Sequence, residues 1–285
     1  MNENTVLRSN FRLANDFGNS IHGEVRFCSS SERQPAVIIC HSFMAFKDWG
    51  FFPYVAETLA RAGFIAVTFN FSLNGVIEHG NRITDFSSFE RNNFSQELDD
   101  LNIVIGSVIN GDVGNGLIDP ERIVLLGHSR GGGIAIVKTS TDHRVRSLVT
   151  WSAIATFNRW TDHQRAYWRS QGFLPLASDS TVSPLRLGIG LLDDLEEHSE
   201  ILNIEHAASR ISVPWLIMHG KADVTVSPKE AERLYGSASR NVAELVLLDG
   251  VGHLYHAATP NEDNYSTINH ILEHTIHWIQ RNIEE

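Results

Sequence analysis

Six short apolar runs restrict what this chain can fold into more than any other feature. They are Ala36–Cys40 (AVIIC), Phe64–Phe69 (FIAVTF), Ile123–Leu126 (IVLL), Val145–Trp151 (VRSLVTW), Trp215–Met218 (WLIM) and Glu244–Leu248 (ELVLL). Most are continuously apolar rather than alternating, a pattern that suits strands covered on both faces. Segments of helical period fill the gaps between them. Pro53–Ala62 carries proline in its first turn and stops at Gly63. Between Arg91 and Ile109, residues Phe94, Leu98, Leu101, Ile105 and Val108 recur at four and three, which makes one helical face. Ile268, Ile271, Leu272, Ile276 and Ile279 repeat the pattern near the C-terminus. Strands alternating with helices predict βαβ units and an α/β fold with a mainly parallel central sheet flanked by helices. The residues before Cys28 are expected to supply an antiparallel edge.

The rhythm breaks from about Ser152 to Ser212. No buried strand is visible there. Instead come the aromatics Phe157, Trp160, Tyr167, Trp168 and Phe173, then the acidic run Asp193-Asp194-Leu195-Glu196-Glu197. This reads as a small, mostly helical cap inserted at 152–212, with the core formed by 1–151 and 213–285. The acidic run is expected to be a solvated helix face, and Arg165 and Arg169 a helix-surface pair. Trp160 and Trp168 are candidates for lining a substrate pocket, since aromatics offer large apolar area.

Composition excludes several function classes. The 285 residues are 42% hydrophobic and 20% charged, enough for a sizeable core without staples. A formal charge of -11 with no basic block argues against nucleic acid as a partner. No run approaches the roughly 18 apolar residues of a membrane span, so no membrane partner is expected. The first residues, Met1 to Thr5, are polar and no apolar run follows, so a cytoplasmic protein without a signal peptide is expected. Cys28 and Cys40 read as free buried thiols. His270, His274 and His277 share one helix face with metal-like spacing, but it lies opposite Ile268, Leu272 and Ile279, so a solvent-facing patch is expected. No metal and no cofactor is predicted, and a homodimer is left open.

The chemistry is concentrated in three places. Gly127-His128-Ser129-Arg130-Gly131 fits G-x-S-x-G, preceded by the run IVLL and followed by a helical segment, Gly132–Thr139. That strand–turn–helix setting is what a nucleophile elbow requires, with Ser129 raised above the sheet edge on a sharp turn. A serine hydroxyl needs a base. His253 lies in the glycine-bearing loop Asp249-Gly250-Val251-Gly252-His253, just past the run ELVLL, with His256 close by. An acid should orient that histidine. Asp223 follows the run WLIM and a turn, and Asp249 is the competitor. The order Ser129, Asp223, His253 differs from the orders used by other serine-hydrolase folds. For the oxyanion, the backbone N–H of Arg130 and, from the loop His41-Ser42-Phe43, that of Phe43 are the candidate donors.

The chain resembles bacterial α/β-hydrolases of the serine aminopeptidase, dienelactone hydrolase-like and feruloyl esterase-like group over nearly its whole length. The resemblance is carried by His41-Ser42-Phe43, by Asp119-Pro120-Glu121-Arg122-Ile123, by GHSRGG at Gly127–Gly132, by His219-Gly220-Lys221-Ala222-Asp223 and by Gly252-His253. It implies an α/β-hydrolase fold and a serine hydrolase with Ser129 as nucleophile, His253 as base and Asp223 as its orienting acid. The early loop reads His41-Ser42 where such proteins usually have His-Gly. Ser129 stands where true dienelactone hydrolases carry cysteine, which weakens that particular activity. The expected substrate is a small-molecule carboxylic ester with a small to medium acyl or aryl group. A serine peptidase or amidase is the alternative, and a non-catalytic binding protein on the same fold a more distant one.

Overall fold

A computed structural model describes residues 5–78, 80–176, 185–257 and 265–283. The expectation of no signal peptide rests largely on residues 1–4, which lie outside the described residues, as do 177–184 of the predicted cap. The antiparallel edge expected before Cys28 is a pair of nine-residue strands, β1 (Val6–Ala14) and β2 (Ser20–Cys28). The six apolar runs fall on β3 (Gln34–Cys40), β4 (Ile65–Phe69), β5 (Ile118–His128), β6 (Val145–Trp151), and two late strands, Trp215–Gly220 and Ala243–Leu248. Two three-residue strands, β7 (Phe173–Pro175) and β8 (Arg186–Gly188), come before those late strands in the chain, which are therefore β9 and β10. Among the described residues the main sheet has the order β1-β2-β4-β3-β5-β6-β9-β10. β2 pairs antiparallel with β1 and β4, and every later pairing is parallel.

Both faces of this sheet are covered, as continuous apolar runs require. Ala36, Ile38 and Cys40 of β3 point into one apolar cluster and Val37 and Ile39 into the other. β9 divides in the same way, with Trp215 and Ile217 on one side and Leu216 and Met218 on the other. Helices α1 (Phe52–Arg61) and α9 (Tyr265–Ile283) close one face. Helices α3 (Phe94–Asn110), α4 (Arg130–Thr139), α7 (Ile204–Arg210) and α8 (Pro228–Ser237) close the other. A short α2 (Phe86–Arg91) precedes α3. Four of the five residues predicted for the inward face of α3, Phe94, Leu101, Ile105 and Val108, are buried. Glu97 and Val104 are buried on it too, and Leu98 is only half-buried.

Between β6 and β9 lie α5 (Asp162–Gln171), the β7–β8 ribbon, α6 (Ile189–Glu197) and α7. The ribbon departs from the expectation of a segment without strands; three residues are too few to leave a periodic signal. α7 packs against α4 and α8. The acidic run is not uniformly solvated. Asp194 is buried, and its Oδ2 accepts from the N–H groups of Phe94 (3.0 Å) and Ser95 (3.1 Å). It thus satisfies orphan donors at the start of α3, where a negative charge is favoured. Asp193 and Glu196 pair with Arg169 at the surface. Cys40 is buried as expected, Cys28 is half-buried, and both are free thiols. His270 and His277 are exposed, and among the described residues no cluster could hold a metal ion. No described helix is long and apolar enough to cross a membrane.

Candidate active site

β5 ends at His128 and α4 begins at Arg130, so the chain reverses at Ser129. Ser129 has φ 55° and ψ -120°, a conformation that residues other than glycine rarely adopt. The surrounding backbone enforces it. Ser129 N–H donates to Trp151 O (3.0 Å), and Gly132 N–H donates to Ser129 O (3.0 Å). A Cβ at Gly127 would come within 2.5 Å of Gly131 O, and one at Gly131 within 2.3 Å of Cys40 O. The two glycines of the motif are therefore there for close backbone approach.

The loops after β9 and β10 bring the other two predicted residues to Ser129. His253 Nε2 lies 3.1 Å from Ser129 Oγ, and His253 Nδ1 lies 2.7 Å from Asp223 Oδ2. The second oxygen of Asp223 accepts from the N–H groups of Thr225 and Val226, both at 2.9 Å. Burial alone would raise the Asp223 carboxyl. Hydrogen bonds from His219, His253 and the Val226 N–H outweigh it and hold the carboxyl far below the usual carboxylate range. The competitors lie elsewhere. Asp249 is exposed and pairs with Lys221 at 2.9 Å, and His256 Nδ1 lies 3.3 Å from Thr267 Oγ1.

A cavity of about 260 Å³ opens beside Ser129 and His253. Its walls include Phe43, Phe94, Ile154, Phe157, Trp160 and Leu254, together with Arg130. Among the described residues the Phe43 N–H meets no acceptor. Trp160 lines the cavity, and Trp168 does not. Trp168 is fully buried behind Trp160, with ring centroids 5.0 Å apart and planes at 75°. Composition places both tryptophans in one class, whereas α5 turns Trp168 into the protein. Arg165 and Arg169 also lie away from this cavity, paired with Asp162 and with Asp193 and Glu196. A larger groove of about 530 Å³ runs along α6 and α7, and neither Ser129 nor His253 lines it.

Residues 37–263 match the alpha/beta hydrolase family. The chain belongs to that family. Solved structures agree on the fold of this α/β-hydrolase. The alpha/beta hydrolase GrgF from Penicillium sp. sh18 superposes with a TM-score of 0.73 at 17% identity, over 98% of this chain and 100% of that one. Est1E from Butyrivibrio proteoclasticus gives 0.69 at 16% identity, over 97% and 99%. A 31.7 kDa protein encoded in the traX-finO intergenic region of Escherichia coli is 30% identical over 123 residues. That match spans 43% of this chain and 38% of the E. coli protein, so the chain covers well under half of that relative.

Four side chains at the site of this α/β-hydrolase escape sequence reasoning. His219, at the end of β9, is buried; its Nε2 lies 2.9 Å from Val226 O and 3.3 Å from Asp223 Oδ2. Its place four residues before Asp223 is the available signal. His128 Nε2–H donates to His253 O at 3.0 Å and ties the histidine loop to the elbow. Burial, with the neighbouring His253 ring, lowers His128 to about 3, which keeps it neutral. His41 Nδ1–H donates to Ser42 O (2.9 Å), and its Nε2 accepts from the Phe71 N–H (3.3 Å). Burial pushes His41 down to about 4, so a neutral ring braces the loop before Phe43. Glu97 is the fourth. A charged residue three positions after Phe94 and four before Leu101 falls on the predicted inward face of α3, which is the available signal.

Proposed function

We propose that this protein is a serine hydrolase that cleaves carboxylic esters of small to medium acyl or aryl groups through an acyl-enzyme on Ser129. The observation that carries the reading is the continuous hydrogen-bonded chain Ser129–His253–Asp223 at the mouth of an apolar cavity. In this reading 1–151 and 213–285 form the core. The segment 152–212 is a cap that contributes Phe157, Arg159 and Trp160 to the pocket wall.

The geometry supports a two-step acyl transfer. His253 Nε2 takes the Ser129 proton as Oγ attacks the ester carbonyl carbon. The negative charge on the carbonyl oxygen is met by the N–H groups of Phe43 and Arg130, with the N-terminus of α4 behind it. His253 then protonates the departing alkoxide. Water attacks the acyl-enzyme, His253 takes the water's proton, and the acid leaves as Ser129 regains its hydrogen. Asp223 remains ionised throughout and holds the imidazole in the tautomer with a proton on Nδ1. A peptidase selecting a free amino terminus needs a carboxylate beside the pocket. Among the described lining residues there is no Asp or Glu. That supports esters over aminoacyl amides.

The test is a panel of p-nitrophenyl acyl esters and aminoacyl p-nitroanilides, run with and without a serine-directed phosphonate. Esters should turn over faster than every amide, and the phosphonate should block turnover and label Ser129. Faster cleavage of any aminoacyl amide, or labelling elsewhere with Ser129 untouched, overturns the reading.

A further inference from the structure

Resting on the ester-hydrolase reading, we propose that Glu97 sets the charge preference of the pocket, restricting it to uncharged acyl groups by neutralising Arg130. Arg130 stands in the pocket wall. Its guanidinium lies 4.4 Å from the Phe94 ring centroid and 5.2 Å from that of Phe43, and both rings line the cavity. Nε donates to Glu97 Oε2 at 3.0 Å, and Nη2 lies 2.8 Å from Oε1. The pair is dry, with the two side chains 9% and 5% exposed, and Nε makes its hydrogen bond while Nη2 contributes an ion-pair contact without hydrogen-bond geometry. Asn92 Nδ2 donates to Glu97 Oε1 at 2.7 Å and fixes the carboxylate from behind. Glu97 itself does not line the cavity.

A second, more exposed guanidinium in the wall is also paired with a carboxylate. Arg159 lines the cavity, and its Nη1 donates to both oxygens of Glu230 at 2.8 Å. Each lining guanidinium thus has a carboxylate set behind the wall, and the field reaching the pocket is that of two neutral pairs. An acyl chain bearing a carboxylate would lose its hydration on entry. It would find Arg130 already committed to Glu97 and would meet the repulsion of that second carboxylate. An ammonium-bearing chain would face guanidinium groups with no lining carboxylate. An uncharged chain avoids both costs. Glu97 therefore acts on specificity through Arg130, without touching substrate.

Glu97→Gln separates this role from a purely structural one. It keeps an acceptor for Arg130 while leaving the guanidinium charge uncompensated beside the substrate. The experiment compares kcat/KM for p-nitrophenyl hexanoate and the mono-p-nitrophenyl ester of adipic acid, two chains of equal length differing in a terminal carboxylate. Wild type should strongly favour hexanoate. In Glu97→Gln the ratio should move towards adipate on the order of tenfold or more, the size expected for one partly screened charge interaction. The double variant Arg130→Met with Glu97→Gln should return the ratio towards wild type. A structural role for Glu97 would lower both rates and leave the ratio unmoved. Equal cleavage of the two esters by wild type overturns the proposal, and this needs no variant to fold. A folded Glu97→Gln protein, checked by circular dichroism, with an unchanged ratio overturns it too. Cleavage of neither ester, with no phosphonate labelling of Ser129, removes the ester reading itself and this proposal with it.

Discussion

The Ser129 elbow and the 152–212 segment border the same cavity, but they are held in place by different forces. At the elbow the backbone leaves little freedom: Ser129 sits at φ 55°, and the flanking glycines stand where any Cβ would strike a carbonyl oxygen. The segment after β6 is held by side chains. Of the ten residues of α5 only Trp168 is buried, and Arg169 joins α5 to α6 through exposed contacts with Asp193 and Glu196. Such surface pairs add little to stability. On the proposed function, the reaction chemistry would rest on backbone geometry, and the fit of the acyl group on apolar contacts beside the Arg130–Glu97 pair. The two regions should respond differently to substitution.

The largest effect is expected at the elbow. Ser129→Ala should reduce ester turnover on the order of 10⁴-fold or more, because nucleophile, base and acid act as a unit. Its circular dichroism spectrum should match wild type. Retention of wild-type turnover would break the comparison at its root. Asp223→Asn should cost somewhat less, on the order of 10³-fold, by favouring the wrong tautomer of His253. The depressed Asp223 carboxyl also fixes how activity depends on pH. Asp223 stays ionised well below neutrality, so the acid limb of kcat/KM should fall with a one-proton slope. A two-proton slope would show Asp223 titrating in the same limb. For stability the sign follows from the same depression. The folded carboxyl titrates below its unfolded value of about 3.9, so its contribution is present above that pH and lost as pH falls. The stability gap between wild type and Asp223→Asn, read by urea unfolding, should therefore shrink on acidification.

The contrast between backbone and side-chain control also explains which features of the molecule are legible in its sequence. Strands β3 to β6, β9 and β10 announce themselves because both faces of each are covered, which forces continuous apolar runs. The elbow announces itself because Gly127 and Gly131 cannot be anything larger. Asp194 gives no such signal, since its partners, the Phe94 and Ser95 N–H groups, lie about a hundred residues earlier. Glu97 is hidden differently. Its place on the apolar face of α3, between Phe94 and Leu101, is legible, but its partner Arg130 lies 33 residues later. The β7–β8 ribbon is too short for periodicity to register. Trp160 and Trp168 look alike in sequence, and only the rotation of α5 separates a pocket wall from the residue packed behind it.

That separation can be measured. Trp168→Ala removes a fully buried indole and should destabilise the fold by about 3–5 kcal/mol, seen as a lowered Tm. The indole N–H of Trp168 has no acceptor among the described residues. Trp168→Phe should therefore cost much less than Trp168→Ala, because it deletes a buried donor that gains nothing. If Trp168→Phe proves as damaging as Trp168→Ala, the N–H has a partner and the packing account is incomplete.

The smallest expected effect tests the other side of the comparison. Trp160 is half-buried, lines the cavity and rests edge-to-face on Trp168. Trp160→Ala therefore opens space towards substrate more than it hollows the core. Its stability cost should fall clearly below that of Trp168→Ala, since a partly exposed site lets water fill the gap. Its effect should appear in the order of preferred esters. Bulky aryl esters, which lose a flat apolar wall, should weaken relative to short alkyl esters by roughly tenfold, the scale of one lost apolar contact in a pocket. The change should enter through KM more than kcat, because Trp160 lines the cavity wall and the proposed reaction runs on the Ser129–His253 pair. An unchanged ester ranking in Trp160→Ala, alongside a large fall in Tm, would mean that Trp160 is a core residue like its neighbour. The pocket would then owe its selectivity to Phe43, Phe94 and Phe157, with Trp160 taking no part in choosing the acyl group.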